Sequence, residues 1–303
     1  MDALERDFYE ERRRKWRRSA FWRGFLVAAA LGAVAALVFG GGLGAGRDQI
    51  ARYALEGVIT DSLERDKLLA ELAEDDHVRA VILRVNSPGG TTAGSEAAFA
   101  SIRAVAAEKP VVAVLGEVAA SGGYAAAIAA DHVVGRGNTL TGSIGVILEY
   151  PDLTDLMARV GIGVETVRSS QLKGEPSPFR PTSPAARAVE DALVEDSYGW
   201  FRGLVGERRG LGGAELDAAA NGAVFTGRLA LERGLIDAIG GEPEAMAWLE
   251  SRDAALADLP VRDWEVETAT GLLGSIWGRV GTTGGILSEI SRLTGPKLYS
   301  IGP

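Results

Sequence analysis

Several residue types with distinctive chemistry are scarce in this sequence. It contains no cysteine, which excludes disulfide bonds, a thiol nucleophile and a cysteine-ligated metal. Its two histidines, His77 and His132, are too few for a histidine-rich metal site, and we expect neither a metal nor a cofactor. Lysine is also rare, since five of the 32 basic residues are lysines. The formal net charge of −9 argues against nucleic acid as a partner.

One long uncharged stretch lies near the amino terminus. Residues 24–46 contain no charged side chain, and a helix of about 1.5 Å per residue over this length crosses a hydrocarbon core about 30 Å thick. Residues 1–23 carry eight basic and five acidic side chains, and basic flanks stay on the cytoplasmic side. We therefore predict a single-pass anchor in the cytoplasmic (inner) membrane, with residues 1–23 inside and the chain after Arg47 outside. The alternatives are a cleaved signal peptide and a buried core helix.

The part after the anchor alternates between short apolar runs and alanine-rich stretches. This alternation predicts an α/β fold with layers of strands and helices. The predicted strands are Arg79–Val85, Val111–Leu115, Asp131–Val134, Ile144–Leu148 and Val164–Arg168, and the predicted helices are Ala93–Ala107, Tyr124–Ala130 and Ala185–Arg209.

Two glycine turns each join a predicted strand to a predicted helix. The first contains Gly89 and Gly90, and the second contains Ser121, Gly122 and Gly123. Such a turn directs backbone N–H groups outward at a helix N-terminus, which suits a phosphate or the oxyanion of acyl transfer. The sequence has neither GxxxxGK[ST] nor GxGxxG, so the phosphate interpretation is weak. Glycines that only permit tight turns are the simpler interpretation of either turn alone.

Ser121 is the best candidate for a nucleophile, and it needs a base. His77 lies in a polar loop and His132 leads into a predicted strand, so a Ser-His-Asp triad is not expected. Arginine stays protonated and cannot act as a base. Among the lysines, Lys173 has the best position, between an apolar run and a proline-bearing loop. A carboxylate base stays open, and so does the interpretation of Lys173 as a solvated loop residue.

Four motifs resemble the signal peptide peptidase A family of bacterial Ser/Lys membrane proteases. They are VILRVNSPGG, GEVAASGGYAAAIAAD, TLTGSIGVI and RSSQLKGEPSPFRP, and GAVFTGRLALERGLIDAIGG at 222–241 is similar to the final signature of the family. The motifs occur in the family's order over roughly residues 50–250, and the length is that of the short, single-copy form.

This resemblance implies a fold of repeated ββα units, similar to the crotonase and Clp-protease group, behind one N-terminal transmembrane helix. It also implies that Ser121 attacks the scissile carbonyl, that Lys173 is the general base, and that Gly90 (or Gly89) and Gly122 form the oxyanion hole. The implied substrates are remnant signal peptides in the membrane. Related short forms are ring-shaped homo-oligomers in which serine and lysine come from neighbouring protomers.

The resulting domain assignment has four parts. Residues 1–23 form a cytoplasmic basic segment, 24–46 the transmembrane anchor, 47–250 the peptidase domain, and 251–303 a C-terminal tail that contacts a neighbouring protomer or the membrane, or is flexible. The alternative functions are a related protease that trims stomatin-like membrane proteins, a crotonase-like acyl-CoA enzyme, and a non-catalytic membrane scaffold.

Overall fold

A computed structural model describes Trp16, residues 21–32 and residues 47–266. Contacts divide the chain into two units, Met1–Trp264 and Glu265–Pro303. This division comes later than the predicted end of the peptidase domain at residue 250, because the strand Val261–Trp264 is part of the sheet of the first unit.

The first unit contains an eight-stranded sheet. Its strands are β1 (Gln49–Ile59), β2 (Val78–Gly90), β3 (Val111–Ala120), β4 (His132–Gly135), β5 (Leu140–Gly142), β6 (Val224–Thr226), β7 (Ala238–Ile239) and β8 (Val261–Trp264). Their order is β6-β5-β3-β2-β1-β8, and β4 pairs with β3 and β7. Every pairing is parallel except that of β5 with β6.

Strand β3 has two different neighbours along its length. Its residues Val112–Leu115 pair with β4, whereas Val118–Ala120 pair with β5. On its other side β3 pairs with β2, with a register shift between Val85 and Ser87. The ends of β2 and β3 therefore lie side by side, because the two strands are adjacent and parallel.

The helices connect and cover the strands. Residues 21–32 are helical, and we call this helix α1. The others are α2 (Leu63–Glu74), α3 (Thr92–Glu108), α4 (Gly122–Ala127), α5 (Thr154–Arg159), α6 (Pro184–Arg209), α7 (Gly213–Ala219), α8 (Gly227–Glu232) and α9 (Glu242–Arg252).

The core lies on both faces of the sheet. On one face, Ile50, Ala80, Ile82, Val112, Val114 and Val134 pack with Ala245 and Leu249 of α9 and with Leu256. Strand alternation directs Val81, Leu83 and Val85 to the opposite face, and these residues are equally buried. Because α3 and α4 contact β2, they cover that second face. The predicted α/β class is thus confirmed, with a sheet dominated by parallel pairs.

Two of the predicted strands are wrong. Neither Ile144–Leu148 nor Val164–Arg168 pairs with a strand in the described chain. Both runs lie in an excursion between β5 and α6, and we call residues 145–183 the arm. Apolar side chains of the arm are exposed, with Ile147 at 81% and Val167 at 104% of full exposure. The runs have strand-like composition, but no neighbouring strand in the described ranges meets their backbone groups.

The predicted anchor lies mostly beyond what the structure describes. The exposed helix α1 covers part of it, but residues 33–46 are not among the described residues. No helix within the described ranges is long and apolar enough to cross a membrane. The anchor therefore stays a prediction, as does the role of the tail, which lies outside the described residues from position 267 onward.

Candidate active site

The two glycine turns predicted from sequence meet at the ends of β2 and β3. A Cβ atom placed on Gly89 would lie 2.9 Å from the backbone nitrogen of Gly122 and 2.9 Å from the Cβ atom of Ser121. A Cβ atom on Gly122 would lie 3.3 Å from the nitrogen of Gly90. The structure therefore brings together Ser121, Gly122, Gly89 and Gly90, as parallel neighbouring strands require.

Ser121 is held in an unusual backbone conformation at the start of α4. Its φ of 52° and ψ of −124° lie outside the regions that residues with a side chain normally occupy. Its N–H donates to the carbonyl of Gly142 (2.8 Å), and its carbonyl accepts from the N–H of Ala125 (3.0 Å). Its hydroxyl caps no backbone group of the helix. Strain of this kind costs about 1–3 kcal/mol and is concentrated at functional sites.

The hydrogen bonds around the first turn distinguish its two glycines. The N–H of Gly89 already donates to the hydroxyl of the fully buried Ser87 (3.1 Å). The N–H of Gly122 lies in the first turn of α4, where a helix leaves its amides without acceptors in the helix. This arrangement favours Gly90 over Gly89 as the partner of Gly122 in an oxyanion hole.

Helix α4 is fixed at the end opposite Ser121. The side chain of Arg208 donates to the carbonyls of Ile128 and Ala130, both at 2.8 Å, and Arg103 donates to that of Ala129 at 2.7 Å. Two cations thus meet the carbonyls at the C-terminal end, where the helix dipole favours positive charge. Within the helix, the hydroxyl of Tyr124 donates to the carbonyl of Leu235 (2.8 Å), and burial raises the pKa of this tyrosine.

The two histidines have partners elsewhere in the fold. His77 lies 3.3 Å from Asp48. The ring of His132 stacks on Trp248 with centroids 4.9 Å apart and lies 3.7 Å from Asp237. Burial lowers the pKa of His132, an effect that the charge of Asp237 only partly offsets. Both histidines lie at the start of their strands, His77 just before β2 and His132 paired with Val112, whereas Ser121 follows the end of β3, so neither is placed to activate it.

Lys173 lies on an exposed turn of the arm, and its N–H donates to the carbonyl of Ser170 (3.3 Å). Its ammonium group has no hydrogen-bond or ion-pair partner within the described chain. The described chain therefore shows no contact between Lys173 and Ser121, and the pairing of these two residues stays a prediction.

The arm is fixed by internal contacts. At its base, the hydroxyl of Tyr150 donates to the buried carboxylate of Glu190 (2.9 Å) and lies 3.0 Å from the hydroxyl of Thr182. Further out, the N–H of Leu153 donates to the carbonyl of Pro178 (2.7 Å). These bonds join the outgoing and returning segments at the base of the arm, away from the turn that carries Lys173.

Sequence reasoning missed a second strained residue beside the site. Ser143 has a φ of 51°, and its N–H donates to the carbonyl of Ala223 (2.8 Å). It directly follows Gly142, whose carbonyl accepts from Ser121. The motif TLTGSIGVI contains Ser143 but gives no sign of a positive φ, because a serine in a turn is ordinary. Within the described residues, no group of histidines and carboxylates could hold a metal ion.

Comparison with known proteins gives a consistent result. The model of "Peptidase family S49" matches residues 103–256. A candidate protease of Synechocystis is 34% identical over 223 residues, which cover 73% of this chain and 79% of that protein. Protease 4 of Haemophilus influenzae is 32% identical over 233 residues, 74% of this chain and 38% of that longer protein. A candidate signal peptide peptidase of Enterococcus faecium is 30% identical over 249 residues, with coverage of 78% and 72%.

The strained Ser121 lies where two glycine turns meet. Together with these matches, this site identifies the protein as a serine protease. More particularly, the chain belongs to peptidase family S49, the family of signal peptide peptidase A.

Proposed function

We propose that this protein is a membrane-anchored serine endopeptidase that degrades remnant signal peptides after protein export. The observation that carries the proposal is the placement of Ser121. This serine is held in a strained conformation at the head of a buried helix, its hydroxyl caps no backbone group, and two glycine turns meet beside it. Backbone strain of this kind is concentrated at functional sites.

In the proposed reaction, the neutral amine of Lys173 takes the proton of the Ser121 hydroxyl as the oxygen attacks the scissile carbonyl. The carbonyl electron pair moves onto oxygen, where the N–H groups of Gly90 and Gly122 stabilise the negative charge. Collapse of this intermediate breaks the C–N bond, and the leaving amine takes the proton from the Lys173 ammonium. Water then hydrolyses the acyl-enzyme by the same steps.

Lys173 acts on the serine of a neighbouring protomer in a ring-shaped homo-oligomer. Three observations support this assembly. Lys173 is exposed, its ammonium group has no partner in the described chain, and the arm around it exposes Ile162, Val164, Val167 and Leu172. Exposed apolar surface of this kind marks an interaction site. In such a ring, the arm of one protomer covers the next and brings the base to the nucleophile.

The substrate class rests on the predicted anchor at residues 24–46. An anchor there keeps the active site next to the membrane, where cleaved signal peptides are left. Cleaved signal peptides are apolar. The residues next to Ser121 are small and leave room for an extended peptide backbone at the serine; they are Ala119, Ala120, Gly122 and Gly123.

The test is hydrolysis of a fluorogenic apolar peptide by the detergent-solubilised full chain, compared with the Ser121→Ala and Lys173→Met variants. Each substitution should reduce kcat by at least about 10³-fold, because it removes the nucleophile or its base. Thermal unfolding and size-exclusion chromatography should match the unmodified protein in both variants.

Other results would point to other functions. Undiminished hydrolysis in Lys173→Met would exclude the Ser/Lys pair while keeping a serine protease. Cleavage of a stomatin-like membrane protein, with signal peptides left intact, would assign the same chemistry to a different substrate.

A further inference from the structure

The turn that carries Lys173 contains an ionic cluster of three side chains, in which the carboxylate is buried beneath two partly exposed guanidinium groups. Glu175 is a carboxylate on an exposed arm, yet its side chain is only 5% exposed. One of its oxygens, Oε1, accepts hydrogen bonds from Arg168, which precedes Lys173, and from Arg180, which follows it (2.9 Å to Arg180). We call Arg168, Glu175 and Arg180 the clasp.

The same two guanidinium groups also hold the backbone on each side of Lys173. Arg168 donates to the carbonyl of Gln171 (2.7 Å), and Arg180 donates to the carbonyl of Gly174 (3.1 Å). Two further bonds close the turn, from the N–H of Lys173 to Ser170 and from that of Glu175 to Leu172 (3.2 Å). The clasp therefore fixes the peptide groups before and after Lys173 and leaves its side chain projecting from them.

Burial of Glu175 in the clasp is partly unfavourable for the stability of the fold. The second carboxylate oxygen of Glu175, Oε2, is buried and has no hydrogen-bond partner within the described part of the chain. A buried acceptor without a partner destabilises the fold, because it has lost its hydrogen bonds to water. Hydrogen bonds from Arg168 and Arg180 also lower the pKa of Glu175, so the carboxylate stays ionised at neutral pH.

We propose that Glu175, bound by Arg168 and Arg180, is a positioning residue that fixes the turn from which Lys173 reaches the serine. The proposal rests on the proposed function, since it assigns Lys173 as the base. The clasp joins the turn's two flanks through one carboxylate, so the loss of that carboxylate releases both flanks together. Without the negative charge at position 175, the two guanidinium groups are held less tightly and the turn loses its fixed geometry.

The experiment compares the full chain with Glu175→Gln and Glu175→Asp in steady-state hydrolysis of one fluorogenic apolar peptide. We expect kcat to fall about 10- to 100-fold in Glu175→Gln with KM unchanged, because a small misplacement of a reacting group has an effect of this size. Glu175→Asp keeps the charge and should recover part of the loss. Hydrogen exchange of residues 170–176, measured on the same samples, should be faster in Glu175→Gln.

Glu190→Gln is the matched control. Glu190 is a similarly buried carboxylate, at 4% exposure, and it binds Tyr150 and Arg187 at the base of the same arm. Its replacement should leave kcat within about twofold, with faster exchange confined to the base of the arm.

The outcomes separate the positioning role from the proposed function. Unchanged kcat in Glu175→Gln with faster exchange at 170–176 would overturn the positioning role, and so would an equal loss of kcat in Glu190→Gln. If the unmodified chain were inactive, or if Ser121→Ala retained activity, the proposed function itself would fail and the role of Glu175 would fall with it.

Discussion

At the scale of single residues, Gly89 and Gly57 form an instructive pair. Both have a positive φ, of 109° and 71°, but their surroundings differ. A methyl group on Gly89 would meet Gly122 and Ser121 at 2.9 Å, whereas one on Gly57 would meet nothing within 4 Å. Replacement of either glycine therefore carries the penalty of a side chain at positive φ, but only Gly89 lies against the candidate site.

We expect Gly89→Ala to reduce kcat/KM at least about 100-fold, because the added methyl group displaces the backbone of Ser121 and Gly122. Gly57→Ala should cost about 1 kcal/mol of unfolding free energy and leave activity within about twofold. Peptide hydrolysis and urea unfolding of the two variants check this. Equal activity losses would show that the positive φ, and not the close approach, is what the site depends on.

Sequence reasoning placed Gly89, Gly90, Ser121 and Gly122 on two glycine turns that each follow a predicted strand, and the family resemblance implied that the two turns share one site. It could not choose between Gly89 and Gly90 as a hydrogen-bond donor. That choice depends on the bond from the N–H of Gly89 to the hydroxyl of Ser87, which only the folded turn creates. The strain at Ser121 and Ser143 was equally invisible, since φ angles are not encoded by residue type alone.

At the scale of elements, the end of helix α4 depends on Arg208 of α6. Arg208→Met removes the donors to the carbonyls of Ile128 and Ala130, both in buried residues. Left without partners, these carbonyls should lower the unfolding free energy by about 2 kcal/mol. Chemical denaturation measures the change.

Arg202→Met is the control for Arg208→Met, since Arg202 lies on the same helix and pairs with Asp217 at the surface. Little change in stability is expected there, because exposed ion pairs contribute little. Comparable destabilisation in both variants would mean that α6 itself, rather than the capping of α4, is what Arg208 stabilises.

Helix α6 was predicted almost to the residue, whereas two strands were predicted wrongly. Ser183 caps α6, Pro184 begins it and the left-handed Gly210 ends it, so its boundaries are local signals. Ile144–Leu148 and Val164–Arg168 have strand-like composition but pair with no strand in the part of the chain that the structure describes. Strand pairing is not local, and composition alone cannot supply it.

At the scale of the whole molecule, the proposed ring makes each active site a property of two protomers. Mixed assemblies of Ser121→Ala and Lys173→Ala protomers should therefore regain activity, because one supplies the lysine and the other the serine. With random mixing of equal amounts, about one quarter of the sites are complete. Hydrolysis by the co-expressed and co-purified variants measures the recovery.

Size-exclusion chromatography with two affinity tags would verify that both variants share one assembly. Mixed rings that stayed inactive would place the serine and the lysine of each site in the same protomer.

The pairing of β1 with β8 has a consequence for how the chain is made. It joins Ile50 to Val261, residues more than two hundred positions apart. Contacts of such separation form late, since the loop between them must close first. During synthesis, one edge of the sheet therefore waits for nearly the whole domain to emerge, and a chain interrupted before Val261 presents an unpaired β1 to other chains. The ribosome must therefore translate the chain through β8 before the edge of β1 is covered.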